Sequence, residues 1–84
     1  MNNFIARKLA LGADYQPIAG SRLVASGTLS APVTNAAVAY VRGDDGSDVP
    51  LEQGEWHEFV SVDLAGIQVK GTPGDVVTFL GGTW

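Results

Sequence analysis

Residues 22–30 read RLVASGTLS, and their alternation decides the fold class. Leu23, Ala25, Gly27 and Leu29 fall on one face and Val24, Ser26, Thr28 and Ser30 on the other, the two-residue period of a strand with one side on a core. Working outward, glycine, proline and Asp/Asn clusters interrupt the chain roughly every eight to twelve residues, the rhythm of an all-β sandwich or barrel. On the C-terminal side, Ala31-Pro32 ends the strand, since proline cannot donate to a ladder. The apolar run AAVAYVR (36–42) then reads as the most central strand, and GDDGSD (43–48) as an acidic turn. In EWHEFV (55–60), Trp56, Glu58 and Val60 share one side and Glu55, His57 and Phe59 the other, so neither side is cleanly apolar. Farther on, IQVK (67–70) alternates with Ile67 and Val69 inward. Pro73 and Gly74 suit the centre of a type II turn, where proline presets a negative φ and glycine supplies the positive one. These features predict a hairpin of 67–71 with 75–80. On the N-terminal side, Ile5, Leu9 and Leu11 share a parity that Arg7 breaks, which marks residues 1–11 as an edge strand or an extended arm. The predicted architecture is a single all-β domain over 1–84, an antiparallel β-sandwich or jelly-roll-like barrel of six to seven strands.

Eighty-four residues allow one thin core, because a domain this small buries only about 60–65% of the surface its unfolded chain exposes. Small scaffolds recover stability from disulfides, metals or partners, and this chain has no cysteine and a single histidine, His57. Self-association or docking on a partner is the fastening that remains. Five Lys+Arg against nine Asp+Glu give a net charge of −4, which opposes binding to a phosphate backbone; no nucleic-acid partner is expected. The N-terminus lacks the order of a secretion signal, because Arg7 and Lys8 follow Phe4 and Ile5 and the next apolar stretch stops at Asp14. No segment approaches the roughly 18–20 apolar residues of a membrane helix, so the expected product is made in a cytoplasm with no membrane association.

Candidate chemistry is sparse. Glu55 and His57 would share a strand face, but a catalytic zinc normally takes three protein ligands, and a surface or loop-anchoring histidine is the simpler reading. Asp44, Asp45 and Asp48 offer oxygen ligands of the kind calcium takes, yet their spacing departs from an EF-hand loop and suits an ordinary hairpin tip. Ser21, Ser26, Ser30, Ser47 and Ser61 lie in strand or turn contexts without a nucleophile elbow. Gly71-Thr72-Pro73-Gly74-Asp75 lacks the Gly-Lys-Ser/Thr end of a phosphate loop. The expectation is no enzyme, no catalytic residue, no metal and no cofactor.

Surface anchors are better represented. Tryptophan is a common interface anchor, and Trp56 and Trp84 stand beside charged or glycine-rich residues. A terminal Trp84 is either tucked onto its own core or held by another subunit, and a segment carrying Phe4 and Ile5 could reach a neighbour by strand addition. Phe4, Ile5, Trp56 and Trp84 are therefore the candidate interface residues.

The C-terminal half carries a recognisable pattern: PLEQGEWHEF (50–59), VDLAGIQVKG (62–71) and TPGDVVT (72–78). It resembles small all-β virion structural proteins of tailed bacteriophages and prophages, in which a glycine-acid turn leads to an aromatic strand, a Val-Asp-Leu segment, an Ile-x-Val-x-Gly strand and a final valine-rich strand. The resemblance implies a capsid decoration or cement protein, or a head-tail accessory protein. Such a protein would sit on the outer surface of the major capsid protein or on other virion proteins, as a homo-oligomer with a trimer favoured, and would be located in the virion. It carries over no catalytic residues. A second reading is a receptor- or carbohydrate-binding β-sandwich module of a tail or head fibre, with Trp56 as a sugar-stacking platform beside Glu55 or Glu58.

Overall fold

The computed structural model describes residues 3–83. Strands β1 (Asn3–Ala10), β3 (Val24–Ser30), β6 (Trp56–Asp63) and β8 (Val76–Thr83) form one antiparallel sheet in the order β1-β8-β3-β6. Strands β2 (Gln16–Pro17), β4 (Ala39–Arg42), β5 (Val49–Leu51) and β7 (Gln68–Lys70) form a second, in the order β2-β7-β4-β5. The all-β expectation holds, but the strands number eight rather than six or seven. The additional one is β2, two residues long and half proline, too short for any period to show. Neither sheet closes on itself, so the fold is not a barrel: β1 and β6 bound the first sheet and β2 and β5 the second.

The pairing is nested. β1 pairs with β8, β2 with β7, β3 with β6 and β4 with β5, as though one long hairpin with its tip at residues 43–48 had been folded over. Two further pairings, β3 with β8 and β4 with β7, complete the sheets. The predicted hairpin of 67–71 with 75–80 does not form, since β7 and β8 belong to different sheets. Its turn is nonetheless present: the Asp75 N–H donates to the Thr72 carbonyl oxygen (3.0 Å) and Gly74 takes φ +99°. The turn serves as a corner between sheets. Residues 3–10 are an edge strand, paired with β8 from Asn3↔Thr83 to Ala10↔Val76. Arg7 breaks the inward parity because its guanidinium leaves the core and donates to the Ile18 carbonyl oxygen (3.0 Å).

Phe79, Leu29, Leu51, Leu64, Val69 and Val77 are fully enclosed, drawn from both sheets and from the 3-10 turn Leu64–Gly66. The inward face read from residues 22–30 is correct, with Ala25 and Leu29 buried. In the first sheet β8 has partners on both sides and buries Val77 and Phe79; β4 is likewise an inner strand, between β7 and β5, but of residues 36–42 it takes in only Ala39–Arg42. The reason is a polar clamp. The Asp75 carboxylate, itself buried, accepts the N–H groups of Ala36 (2.8 Å) and Ala37 (3.1 Å), which turns these residues away from a ladder. Beside it, the Asn35 side chain donates to the Val76 carbonyl (2.8 Å) and accepts the Val76 N–H (3.0 Å).

A β-bulge explains the mixed alternation of residues 55–60. Ala25 lies opposite Val62 and Gly27 opposite Phe59, so Val60 and Ser61 together face Ser26. Ser61 takes φ +51° and donates its N–H to the Ser26 hydroxyl (2.9 Å). The extra residue resets the parity, letting Phe59 and Val62 both pack on the core while Val60 turns to solvent. Next to the bulge, Gly27 and Gly81 are Cα partners. A Cβ on Gly81 would collide with the Ser26 carbonyl oxygen and the Gly27 Cα, and one on Gly27 with the Leu80 carbonyl, so β3 and β8 meet where only hydrogen fits.

The clamp predicts a clear loss on mutation. Asp75→Ala should leave two backbone donors without partners and lower stability by about 1–3 kcal/mol, read as a fall in the urea midpoint at unchanged m-value. Asp75→Asn, which keeps one acceptor, should lose less.

Candidate functional site

The outward faces of the two sheets differ in character. On the β1-β8-β3-β6 sheet, the register aligns Ala6, Leu80, Thr28 and Glu58 in one row and Lys8, Thr78, Ser30 and Trp56 in the next. Phe4, opposite Gly82, and Val60 lie at the far end of the two edge strands. Phe4 and Val60 are each 80% exposed, Trp56 58% and Leu80 54%. With Val24, five of the eight large exposed hydrophobics among the described residues fall on this face. Its two inner strands present mostly Ser, Thr and Gly, with Leu80 on β8 and Val24 on β3, and its strand positions carry one cation, Lys8 on β1, and two anions, Glu58 and Asp63 on β6. Five exposed apolar side chains on one sheet face make that face the candidate interaction surface.

Of the residues expected at an interface, Phe4 and Trp56 stand on this face, on opposite edge strands. Ile5 does not. The two-residue period that turns Phe4 outward turns Ile5 inward, where it is 6% exposed and part of the core. Trp84 lies outside the described residues. Val60, Leu80 and Val24 were not singled out from the sequence. Leu80 shares the parity of Thr78, a signal available in the sequence, whereas the outward turn of Val60 depends on the bulge.

The other sheet presents Tyr40 and Arg42 of β4 beside Lys70 and Gln68 of β7, with Tyr40 paired to Lys70 and Arg42 to Gln68. Tyr15, from the loop between β1 and β2, lies across them. The Arg42 guanidinium is 4.1 Å and the Lys70 ammonium 4.8 Å from the Tyr15 ring centre, and Lys70 is 5.9 Å from that of Tyr40. Such placements favour a cation electrostatically. Arg42 Nε also donates to Gln68 Oε1 (2.5 Å), and the Tyr15 hydroxyl donates to the Asp48 carboxylate. Loss of hydration, the Asp48 hydrogen bond and the Asp48 charge push the Tyr15 pKa up to about 12, against the opposing pull of Arg42. Tyr15, Arg42, Lys70 and Asp48 border a polar hollow of about 560 Å³ that Ala13, Asp14 and Gly46 complete.

The remaining candidates are dispersed. Asp45 accepts the Ser47 N–H (2.9 Å), which holds its carboxyl below the usual carboxylate range, while Asp48 is engaged by Tyr15. His57 Nε2 lies 3.7 Å from Glu55 Oε2, with both side chains well exposed. They sit by a cleft of about 390 Å³ between the sheets, whose walls include Leu29, Val41, Leu51, Phe59 and Ile67. Among the described residues, no three His, Asp or Glu side chains converge as metal ligands.

Two outcomes follow. Replacing Phe4, Trp56, Val60 and Leu80 together with Thr should cut binding of an apolar dye sharply while each change alone moves folding stability by no more than about 0.5 kcal/mol, as for surface positions; urea titration with dye fluorescence measures both. Absorbance titration should find one tyrosine ionising near 12, moving toward the ordinary value of about 10 in Asp48→Ala.

No protein-family model, curated protein or solved structure matches this chain.

Proposed function

We propose that the chain is a structural protein of a tailed-phage virion, a decoration or cement protein. In this reading it binds the outer surface of the major capsid protein in several copies, a trimer being the favoured symmetry, and stabilises the shell. The observation that carries the reading is the outward face of the β1-β8-β3-β6 sheet, where Phe4, Trp56 and Val60 on the edge strands and Leu80 on β8 stand exposed among small residues. Aromatic anchors on such a face are the residues that dominate binding energy at protein interfaces. Four strands of about eight residues offer roughly 500 Å², below the roughly 800 Å² per partner of a standard interface. Binding in several copies offsets the small area through avidity.

Two further features support it. The C-terminal pattern of residues 50–78 resembles small virion proteins, and the nested strand order is that of a jelly roll, an architecture of viral capsid domains, though also of lectins and cupins. Fold by itself assigns no function. A task of clamping larger proteins needs rigid strands and apolar anchors, and a net charge of −4 keeps the surface from adhering to packaged DNA.

One observation favours the second reading, a carbohydrate-binding module of a fibre. Trp56 is 58% exposed on an open sheet face, with Glu58 outward two residues along and Ser30 opposite, an arrangement on which a sugar ring could stack.

Light scattering and co-sedimentation with purified undecorated phage heads test the proposal together. An oligomer that binds heads and loses that binding in Phe4→Ser with Trp56→Ser is the expected result. A monomer that neither binds heads nor raises their melting temperature overturns it, and glycan-array binding abolished by Trp56→Ala would transfer the assignment to the second reading.

A further inference from the structure

The polar hollow on the β2-β7-β4-β5 sheet has a composition that the apolar face opposite does not explain. Two of the chain's five cations, Arg42 and Lys70, are gathered over one tyrosine ring in a protein of net charge −4. Among the described residues neither has a carboxylate oxygen within 4.0 Å. Arg42 spends Nε on Gln68, which fixes the guanidinium plane and leaves its two terminal nitrogens for an oxyanion. The same hollow holds the carboxylates of Asp14 and Asp48, and these can only accept hydrogen bonds. Tyr40, in reach of Lys70, adds an exposed ring.

We propose that this hollow binds an acidic sugar, a saccharide unit with one carboxylate and several hydroxyl groups. The sugar carboxylate sits between Arg42 and Lys70, and its hydroxyls donate to Asp14 and Asp48. Two aspartates at the rim disfavour a polyanion such as nucleic acid, whose backbone brings a negative charge at every phosphate. A neutral sugar leaves both cations without a counter-charge. The volume of about 560 Å³ falls within the range of small-molecule sites, roughly 300–1,000 Å³. The site lies on the sheet turned away from Phe4 and Trp56, so it stays open when the apolar face is covered, and the inference does not depend on what covers that face.

The test is an NMR titration of the isotope-labelled protein with sodium glucuronate, run beside glucose, sodium acetate and sodium sulfate at matched ionic strength. Saturable shifts at Asp14, Tyr15, Arg42, Gly46, Asp48 and Lys70 with glucuronate are expected, weaker with acetate and sulfate and absent with glucose. Lys70→Gln should raise Kd by about tenfold, in proportion to the loss of a charge-assisted contact, and Lys70→Arg should restore it; an unchanged urea midpoint in both separates the effect from folding. Phe4→Ser should leave binding unaltered. Equal binding of glucose, equal binding of acetate or sulfate, or indifference of glucuronate to Lys70→Gln overturns the proposal.

Discussion

Enclosure of Phe79, Leu29, Leu51, Leu64, Val69 and Val77 between two four-stranded sheets is the constraint to which the other features answer. These six side chains form a layer in a chain without cysteine, so no disulfide fixes their depth and backbone geometry must. The Gly27–Gly81 contact brings β3 and β8 together closely enough for Leu29 and Phe79, themselves Cα partners, to share one interior face. The Ser61 bulge resets β6 so that Phe59 and Val62 both reach that layer. Where the chain crosses from the second sheet to the first, a buried Asp75 and Asn35 replace the ladder bonds that residues 35–37 forgo. Buried polar groups of this kind are tolerated because all are paired.

The nested pairing also sorts the outer surface. Each sheet has an inner face that must be apolar, and its outer face is free to vary. On β1, β8, β3 and β6 the outer positions are mostly small or apolar, with Lys8, Glu58 and Asp63 on the edge strands, whereas on β4 and β7 they are Tyr40, Arg42, Gln68 and Lys70. The molecule thus carries one side with exposed apolar residues and one polar, cation-bearing side. This asymmetry fits a component that is fixed on one side and presents the other, and it arises without any residue of the interior taking part.

Much of the fold was legible in the sequence wherever the information is local. Alternation in residues 22–30 identified the inward residues of β3, and the Pro73-Gly74 dipeptide identified its turn. Reading failed where the answer depended on a distant partner. A type II turn sets the dihedral angles of four residues and says nothing about whether the flanking strands pair, so β7 and β8 were expected to form a hairpin that the sheets do not contain. Residues 36–38 looked like strand because the run 36–42 is almost wholly apolar; the carboxylate that captures the Ala36 and Ala37 amides lies about forty residues away. Of the interface candidates, Phe4 and Trp56 are placed on one exposed face, Ile5 is in the core, and Val60 depended on a bulge that alternation alone cannot locate. The grouping of Tyr15, Arg42 and Lys70 was invisible, since three different elements supply it.

By itself, then, the sequence determined an all-β chain, its turn positions and the inward side of its most regular strand, because φ preferences and two-residue periodicity act between neighbours. Tertiary structure alone decided which strands pair, that Ile5 is enclosed while Phe4 is exposed, and that five apolar residues converge on one face and two cations on the other. The physical reason is that strand partners, bulge register and sheet crossing are set by long-range backbone hydrogen bonds and shared burial, quantities distributed over the whole chain and present in no single segment of it.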